Sequence, residues 1–333
     1  MPVATNGKPM PPLPDQFKDA LSTIEPEDDV ENAPEAHKEV RDALERSQEL
    51  REAGIDTVLI GSYARHVSIY RIRDVDVLCR LPEYSGDDAE ALLDLVEKVL
   101  RDKFGDERVE RQDRSVKVEF PDYDLAVDAV PARPCGGQWE IPDGEGGWQE
   151  TNPLKLGALT TDMNANNDER YVPTVKLVRQ ARRGLLGDEQ PGGLYLEIAT
   201  YHAFDAGIDA DGTASYFVSA LEGVAGQLDA TVSAGLPDPT LEGEIIRTRA
   251  TTEQLQTAAD RFAKAAKDAR TALESDDACA AARTFRDILG QNTDGDWVFP
   301  MPSYCNEDGT KKSEARELAA GSRTIKGGDS RYA

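Results

Sequence analysis

Long hydrophobic runs, closely spaced cysteines and an excess of basic residues are all missing from this sequence of 333 residues. The absence of an apolar run of about eighteen residues, and of a signal-peptide pattern at the start, predicts a cytoplasmic protein with no membrane span. The four cysteines are far apart and are accompanied by three histidines. This spacing argues against a zinc site and against a disulfide framework.

Acidic residues dominate the charge of the chain, since 63 Asp and Glu oppose 38 Lys and Arg for a formal net charge of −25. Proteins that bind duplex nucleic acid present a basic surface, so no large nucleic-acid-binding surface is expected. Small molecules and proteins are the favoured partners. The excess of acid fits a surface that keeps the protein soluble, and a salt-rich cell interior is an alternative explanation.

The amino-terminal part of the chain combines helices and strands. Residues 1–14 are rich in proline and predict a flexible N-terminus. Residues 15–150 predict a core domain that includes the N-terminal helices. Within it, the apolar spacing predicts helices at 15–24, 34–53 and 87–104 and strands at 57–61, 73–81, 115–120 and 123–130.

The carboxy-terminal part reads as helical. Residues 136–153 form a connection rich in Gly and Pro, residues 151–305 predict a helical lobe, and residues 306–333 predict a flexible tail. Helices are predicted at 153–162, 171–183, 193–206, 214–230, 240–274 and 277–290. The fold class is therefore α+β, with a cleft between an α+β lobe and an all-helical lobe.

Two aspartates stand one residue apart in a strand that is otherwise apolar. Asp74 and Asp76 project from the same face of the strand, while Val75 and Val77 point to the opposite face. Carboxylates in such a strand need a compensating partner, and oxygen ligands of this type suit Mg²⁺. A D-x-D pair by itself also fits two solvated residues on an edge strand.

A third acid supports the metal interpretation. Asp128 stands alone among apolar residues in a second predicted strand, where it also needs a partner. If this strand lies beside that of Asp74, three carboxylates converge on a site for two metal ions. One ion would activate an attacking hydroxyl and the other would steady a leaving pyrophosphate, which is the chemistry of nucleotidyl transfer.

The dipeptide Gly61-Ser62 ends the strand before the two aspartates. A glycine there lets the backbone approach a phosphate closely, and a serine hydroxyl with free N–H groups can bind phosphate oxygens. An ordinary strand-to-helix turn capped by Ser62 is the alternative for this dipeptide alone. The combination with Asp74, which follows Ser62 by twelve residues, and with Asp128 favours a functional site.

These motifs resemble the DNA polymerase-β-like nucleotidyltransferases. The segments GSYAR, DVDVL, VDAVPA, IPDG, GWQETNP, VKLVRQ and DWVFPMP resemble one family in particular, the CD-NTases, over residues 40 to 305. CD-NTases are bacterial relatives of cyclic GMP-AMP synthase. The resemblance implies a polymerase-β-like lobe with a mixed or antiparallel sheet. It also implies template-independent condensation of nucleoside triphosphates into a cyclic di- or trinucleotide that activates an antiphage effector in CBASS defence.

The resemblance also implies roles for particular residues. Gly61 and Ser62 would hold the donor triphosphate, and Asp74, Asp76 and Asp128 would hold two Mg²⁺ ions, with Mn²⁺ as a substitute. Nucleotide-binding roles are further implied for Lys176, which would contact phosphate, and for Tyr195, which would stack on a base, and the helix spacing separately adds Arg179 to these two.

Alternatives remain for the last three residues. Lys176, Arg179 and Arg183 fall on one helix face and predict a basic stripe, which fits either a triphosphate grip or a solvated face. For the stacking role, Tyr201 and packing of Tyr195 in the core are the alternatives.

Other functions also remain open. The chain could make linear oligonucleotides, add a nucleotide to a macromolecule such as tRNA, or act as an inactive nucleotide sensor. A CBASS regulatory or conjugating protein acting on the C-terminal tail is a further expectation from the resemblance.

Overall fold

The computed structural model describes residues 13–26 and 32–313. The predictions for residues 1–12 and 314–333 lie outside the described residues. Leu13 is 2% exposed and Pro14 begins the first helix, so these two residues belong to the folded part of the chain. The folded part also extends past residue 305, where a bridge joins Cys305 to Lys311.

A seven-stranded sheet forms the first lobe. Its strands are β1 (Asp56–Ile60), β2 (Asp74–Arg80), β3 (Val109–Arg111), β4 (Val116–Phe120), β5 (Leu125–Cys135), β6 (Gln138–Pro142) and β7 (Trp148–Thr151). The main order is β1-β2-β5-β4-β3, and β6 and β7 continue from β5. β2 and β5 are parallel and the other described pairs are antiparallel, so the predicted mixed sheet is confirmed.

Eleven α-helices are described. They are α1 (Pro14–Ile24), α2 (Ala33–Arg46), α3 (Gln48–Glu52), α4 (Gly61–Ala64), α5 (Ala89–Phe104), α6 (Pro153–Asn166), α7 (Tyr171–Leu186), α8 (Gly193–Asp205), α9 (Thr213–Thr231), α10 (Thr252–Leu273) and α11 (Ala278–Leu289). Short 3₁₀ turns lie at Asp106–Arg108 and Pro121–Tyr123. No helix in this described part of the chain is long and apolar enough to cross a membrane.

Two hydrophobic cores hold these elements together. The sheet packs against α2 and α5 around fully buried residues such as Val77, Leu93 and Val127. The helices after β7 pack around a second core, which α1 joins although it precedes the sheet in the chain. The Phe17 ring of α1 lies 4.9 Å from the Phe285 ring, measured between centroids. The α+β architecture is confirmed, while the predicted domain boundaries at 15–150 and 151–305 remain predictions.

Several predicted elements differ in extent from the observed ones, among them the three that follow. The helix predicted at 34–53 is interrupted at Ser47, whose hydroxyl accepts a hydrogen bond from the Leu50 N–H at 3.4 Å and starts α3. The helix predicted at 240–274 begins at Thr252, because Thr251 and Gln254 form a capping box there. The connection at 136–153 contains the hairpin of β6 and β7.

Cys279 and Cys305 form a disulfide bond, so the expectation against disulfides is wrong for this pair. Their Cα atoms lie 5.5 Å apart although 26 positions separate them in sequence. After α11 the chain runs back along that helix toward its start. On the way, Arg283 Nη1 donates to the Glu307 carbonyl oxygen at 2.7 Å. Spacing along the sequence could not show this proximity, because it arises from the return of the chain.

Candidate active site

Three carboxylates meet at one end of the parallel strand pair β2–β5. Asp76 lies directly beside Asp128 in the register, and Asp74 lies two residues before Asp76 on the same face. One carboxylate oxygen from each residue lies within 4.8 Å of the others. The convergence depends on β5 being the direct neighbour of β2, a placement that the sequence alone does not decide.

Burial and mutual repulsion favour protonation of two of these acids. The pKa of Asp76 is raised to about 7, first by desolvation and then by repulsion from Asp74 and Asp128, while Arg65 and Arg179 oppose the shift. Desolvation also raises the pKa of Asp128 to about 6, again with repulsion from Asp74. Carboxylates this close resist ionising together near neutral pH unless a cation compensates their charge.

The donor set fits a divalent cation. Asp128 Oδ1 is buried and has no hydrogen-bond partner among the described residues. All three side chains offer carboxylate oxygens, which hard cations such as Mg²⁺ and Mn²⁺ prefer as ligands. A bound cation would also offset the repulsion that raises both pKa values. These three residues could therefore hold a metal ion.

The raised pKa of Asp76 predicts a pH-dependent stability. An acid with a higher pKa in the folded state stabilises that state at low pH, and this contribution is lost as the pH rises through the folded value. For Asp76 the loss falls between the usual value of 3.8 and about 7. In EDTA, we therefore expect Asp76→Asn to unfold at a higher temperature than the wild type at pH 8, with a smaller difference at pH 5.

Thermal unfolding followed by circular dichroism at both pH values measures this difference. Adding MgCl₂ at pH 8 should raise the unfolding temperature of the wild type more than that of the variant, because the metal compensates a charge that Asn lacks. An equal difference between the two proteins at pH 5 and pH 8 would contradict the assignment of the shift to Asp76.

A glycine turn brings the backbone directly against Asp76. Ile60 pairs with Asp76 at the end of β1, and Gly61 then starts α4 at a φ of +74°. A Cβ atom on Gly61 would lie 1.8 Å from Asp76 Oδ2. Glycine meets both requirements, because it lacks a Cβ and adopts a positive φ without strain. Ser62, the next residue, places its hydroxyl oxygen 3.0 Å from that of Ser68.

A cleft of about 440 Å³ opens in front of the carboxylates. Gly61, Ser62, Asp74 and Asp76 lie on its sheet side. The opposite side is formed by residues near α6, by α8 and by the chain that precedes α10. The side chains that line it there are the apolar Pro153, Leu156, Leu194, Ile198 and Ile246 and the polar Asn152, Asp238 and Thr240. No aromatic ring from the described residues lines this cleft.

A second cavity of about 190 Å³, the arginine pocket, adjoins the cleft. Its polar lining consists of Ser62, Ser68, Arg71, Arg73, Asp74, Arg179, Arg182 and Arg183. Ser62, Asp74 and Arg179 line both cavities. Five arginines in one small pocket, within a chain of net charge −25, make this a local site of positive charge.

The three residues of the predicted basic stripe on α7 contact different parts of the protein. Lys176 is 7% exposed, and its Nζ donates to both carboxylate oxygens of Glu25 at 2.7 Å, away from the cleft. Arg179 lines the cleft, and Arg183 Nη1 donates to the Tyr70 carbonyl oxygen at 2.6 Å. The stripe is therefore not a solvated face. The phosphate role of Lys176 stays a prediction that this arrangement does not support.

Tyr195 lies in the core of the helical lobe. It is 3% exposed, and its hydroxyl oxygen lies 3.5 Å from Thr231 Oγ1. Its position fits the alternative of core packing, and its stacking role stays a prediction without geometric support. Tyr201 packs partly buried against the same core. The residue that faces the cleft at this point is Leu194, which is 47% exposed.

Two charged residues beside the carboxylates were not predicted from the sequence. Arg65, which lines the cleft, is 8% exposed and forms a two-bond ion pair with Glu197, which is 1% exposed. Glu197 stands alone in the apolar segment LYLEIAT of α8. The argument that singled out Asp128, a lone acid among apolar residues, applies to Glu197 equally and could have found it.

Two sequence comparisons bear on this site. The family model described as "Second Messenger Oligonucleotide or Dinucleotide Synthetase domain" matches residues 12–164. A cyclic AMP-AMP-AMP synthase from Acinetobacter sp. (strain ATCC 27244 / 9458) is 32% identical to the chain over 291 residues, which cover 83% of each protein.

Solved structures share the fold, and two of them come from E. coli MS115-1. E. coli MS115-1 CdnC with ATP aligns with a TM-score of 0.69 at 16% identity, covering 86% of this chain and 98% of that one. The CdnC:HORMA-deltaN complex from the same strain aligns with a TM-score of 0.68 at 16% identity, covering 83% of this chain and 96% of that one. At this identity the likeness shows a common fold.

Proposed function

Because the chain belongs to the CD-NTases, the bacterial cyclic GMP-AMP synthase-like nucleotidyltransferases that make cyclic oligonucleotides, we propose that it condenses ATP into cyclic AMP-AMP-AMP. The observation that carries the proposal is the group of three carboxylates beside the Gly61 turn, two of which, Asp74 and Asp76, line a cleft that adjoins an arginine pocket. The choice of ATP rests on the name of the Acinetobacter relative.

The metal site forms the first part of the proposal. Asp74, Asp76 and Asp128 would hold two Mg²⁺ ions, or Mn²⁺ in their place. When bound, such ions lower the pKa of an attacking hydroxyl and offset the charge of the leaving pyrophosphate. Asp128 Oδ1, which is buried without a partner, supports this role.

The arginine pocket suits the donor triphosphate. ATP is a polyanion, and guanidinium groups bind phosphate oxygens through paired, charge-assisted hydrogen bonds. Ser62 and Arg179 line both cavities, so a triphosphate bound in front of Asp74 would extend from the cleft into the pocket. In this proposal Gly61 and Ser62 contact the phosphates, and Arg179 and Arg73 offset their charge.

The other end of the cleft suits a nucleobase. Leu156, Leu194, Ile198 and Ile246 offer aliphatic surface, against which an adenine ring can be removed from water. Asn152, Asp238 and Thr240 offer hydrogen-bonding groups near that surface. We propose that this aliphatic surface takes the place of the aromatic stacking that the family resemblance implied for Tyr195.

The reaction repeats one step. The ribose hydroxyl oxygen of an acceptor forms a bond to the α-phosphorus of the donor ATP, and the bond from that phosphorus to the bridging oxygen of the β-phosphate breaks. Pyrophosphate leaves, and the hydroxyl proton passes to solvent. Two such steps make a linear trimer, and a third closes the ring.

Incubating the protein with ATP and MgCl₂ tests the proposal. Mass spectrometry should find a product with the mass of three AMP residues joined in a ring, and phosphatase should leave it intact because it has no terminal phosphate. A phosphatase-sensitive linear product, transfer of labelled AMP to added tRNA, or consumption of another nucleotide in place of ATP would contradict it.

A protein partner is part of the same proposal. A HORMA protein binds the E. coli structural relative. We propose that a CBASS regulatory protein also controls this chain and that the product activates an antiphage effector. The predicted conjugation of the C-terminal tail concerns residues that the structure does not describe.

A further inference from the structure

We infer that Glu197 is a positioning residue that holds Arg65 and Arg179 together across the two lobes, so that the Arg179 guanidinium faces the donor triphosphate. The inference rests on the proposed function, because it assigns Arg179 to a phosphate. Glu197 itself would touch neither substrate nor metal.

The contacts join the two lobes. Arg65 lies directly after α4, in the sheet lobe, whereas Arg179 of α7 and Glu197 of α8 lie in the helical lobe. Arg65 Nε lies 2.6 Å from Glu197 Oε1 and Arg65 Nη2 lies 3.0 Å from Oε2. Arg179 Nη1 lies 3.4 Å from the same Oε2. One carboxylate therefore serves two guanidinium groups.

The three side chains are removed from solvent. The exposed fractions of the side chains alone are 6% for Arg65, 1% for Glu197 and 18% for Arg179. A buried carboxylate needs hydrogen-bonded counter-charges, and the guanidinium groups supply them. Because two cations share one anion, the group carries one surplus positive charge. Arg179, the most exposed of the three, directs that surplus charge toward the cleft.

The position of Arg179 is restricted from two sides by α8. A Cβ atom on Gly193, the first residue of α8, would lie 3.1 Å from Cζ, Nη1 and Nη2 of Arg179. Glu197, one turn later in the same helix, holds Nη1. Arg179 Nε is buried and has no partner within the described residues, so the contact with Glu197 is the direct ion pair that fixes this guanidinium.

This position matters for substrate binding. Arg179 lines both the cleft and the arginine pocket, together with Ser62 and Asp74. A triphosphate that passes from one cavity to the other must pass this side chain. Arg65 follows Gly61 by four residues, so its bond to Glu197 also ties the Gly61 turn to α8.

Binding of a non-hydrolysable ATP analogue with MgCl₂, measured by calorimetry, tests the role of Glu197. We expect Glu197→Gln to weaken binding by about tenfold, which is the lower range for a hydrogen bond between charged groups. In the Arg179→Met background, the same substitution should cost clearly less affinity than in the wild type, because the side chain it positions is absent and only its contact with Arg65 remains to be lost. An equal loss in both backgrounds, or no loss in a folded Glu197→Gln variant, would overturn the inference.

Glu222→Gln is the matched control. Glu222 forms the same two-bond pair with Arg270, at 2.8 and 2.6 Å, on the surface between α9 and α10. We expect this control to bind the analogue like the wild type. If it loses affinity as Glu197→Gln does, the effect belongs to any helix-linking ion pair and the inference fails.

A second variant keeps the test valid if Glu197→Gln does not fold. Glu197→Asp keeps the charge but is one methylene shorter, so it cannot reach both arginines as Glu197 does. We expect it to fold and to bind the analogue more weakly, and affinity equal to that of the wild type would overturn the inference.

Assays of cyclic product on the wild type separate the two proposals. If the Glu197→Gln effect depends on Arg179 but the wild type makes no cyclic product, the positioning role of Glu197 stands and the proposed function fails. If the wild type makes the cyclic product but the Glu197→Gln effect does not depend on Arg179, the proposed function stands and the positioning role fails.

Discussion

Asp76→Asn is expected to lower the rate of cyclic product formation by about 10³-fold or more, equivalent to about 4 kcal/mol of lost transition-state stabilisation. Asp76 lies between the other two carboxylates, beside Asp128 in the sheet register and two residues from Asp74. Asn removes an anionic ligand while keeping the shape of the side chain. The initial rate from ATP, followed by mass spectrometry at saturating MgCl₂, measures the loss.

The variant should remain folded, because removal of a desolvated and repelled charge does not destabilise the sheet above pH 7. Asp102→Asn, at an exposed position on α5, is the control and should keep the wild-type rate. Wild-type synthesis by a folded Asp76→Asn protein would show that the three carboxylates are not the catalytic centre.

Gly61→Ala should have the second largest effect, a loss of about 10²-fold in rate. The added methyl carbon would lie 1.8 Å from Asp76 Oδ2, far inside contact distance, so the Asp76 carboxylate or the turn must move. The positive φ of +74° adds strain for any residue with a Cβ. A displacement of about 1 Å in an active site costs about 10²-fold, which sets the expected size.

The rate of cyclic product formation, together with a thermal melt, measures this effect. Gly226→Ala is the control, because a Cβ on this exposed residue of α9 meets nothing within 4 Å. It should keep full activity and gain about 0.5–1 kcal/mol of stability from the helix preference of alanine. If Gly61→Ala keeps the wild-type rate, the turn is not in tight contact with Asp76 during the reaction.

Several features of the site could be predicted from neighbouring residues alone. The i, i+2 spacing of Asp74 and Asp76 already places both on one face of a strand, because side chains alternate along an extended chain. The glycine at position 61 already indicates a turn that ends a strand. The lone acid at position 128 already indicates a partner, since a buried carboxylate is rarely left alone.

The side-chain directions on the helical lobe could not be predicted in this way. Lys176 was expected at a phosphate, but α1 packs into the helical core and its last turn brings Glu25 within 2.7 Å of the Lys176 ammonium. Tyr195 was expected at a base, but α8 turns it into the core and turns Leu194 to the cleft. Adjacent residues on a helix point in different directions, so the rotation of α8 about its axis decides whether Leu194 or Tyr195 faces the cleft.

By itself, then, the sequence determined the chemistry that each strand and turn carries. The alternation of side chains along a strand and the backbone preference of glycine both act over a few neighbouring residues. Tertiary structure alone decided that β5 lies parallel to β2, that Glu197 holds two arginines from different lobes, and that Cys279 meets Cys305. These contacts join residues far apart in the chain. They are set by how whole elements bury their apolar faces against one another, which no short stretch of sequence records.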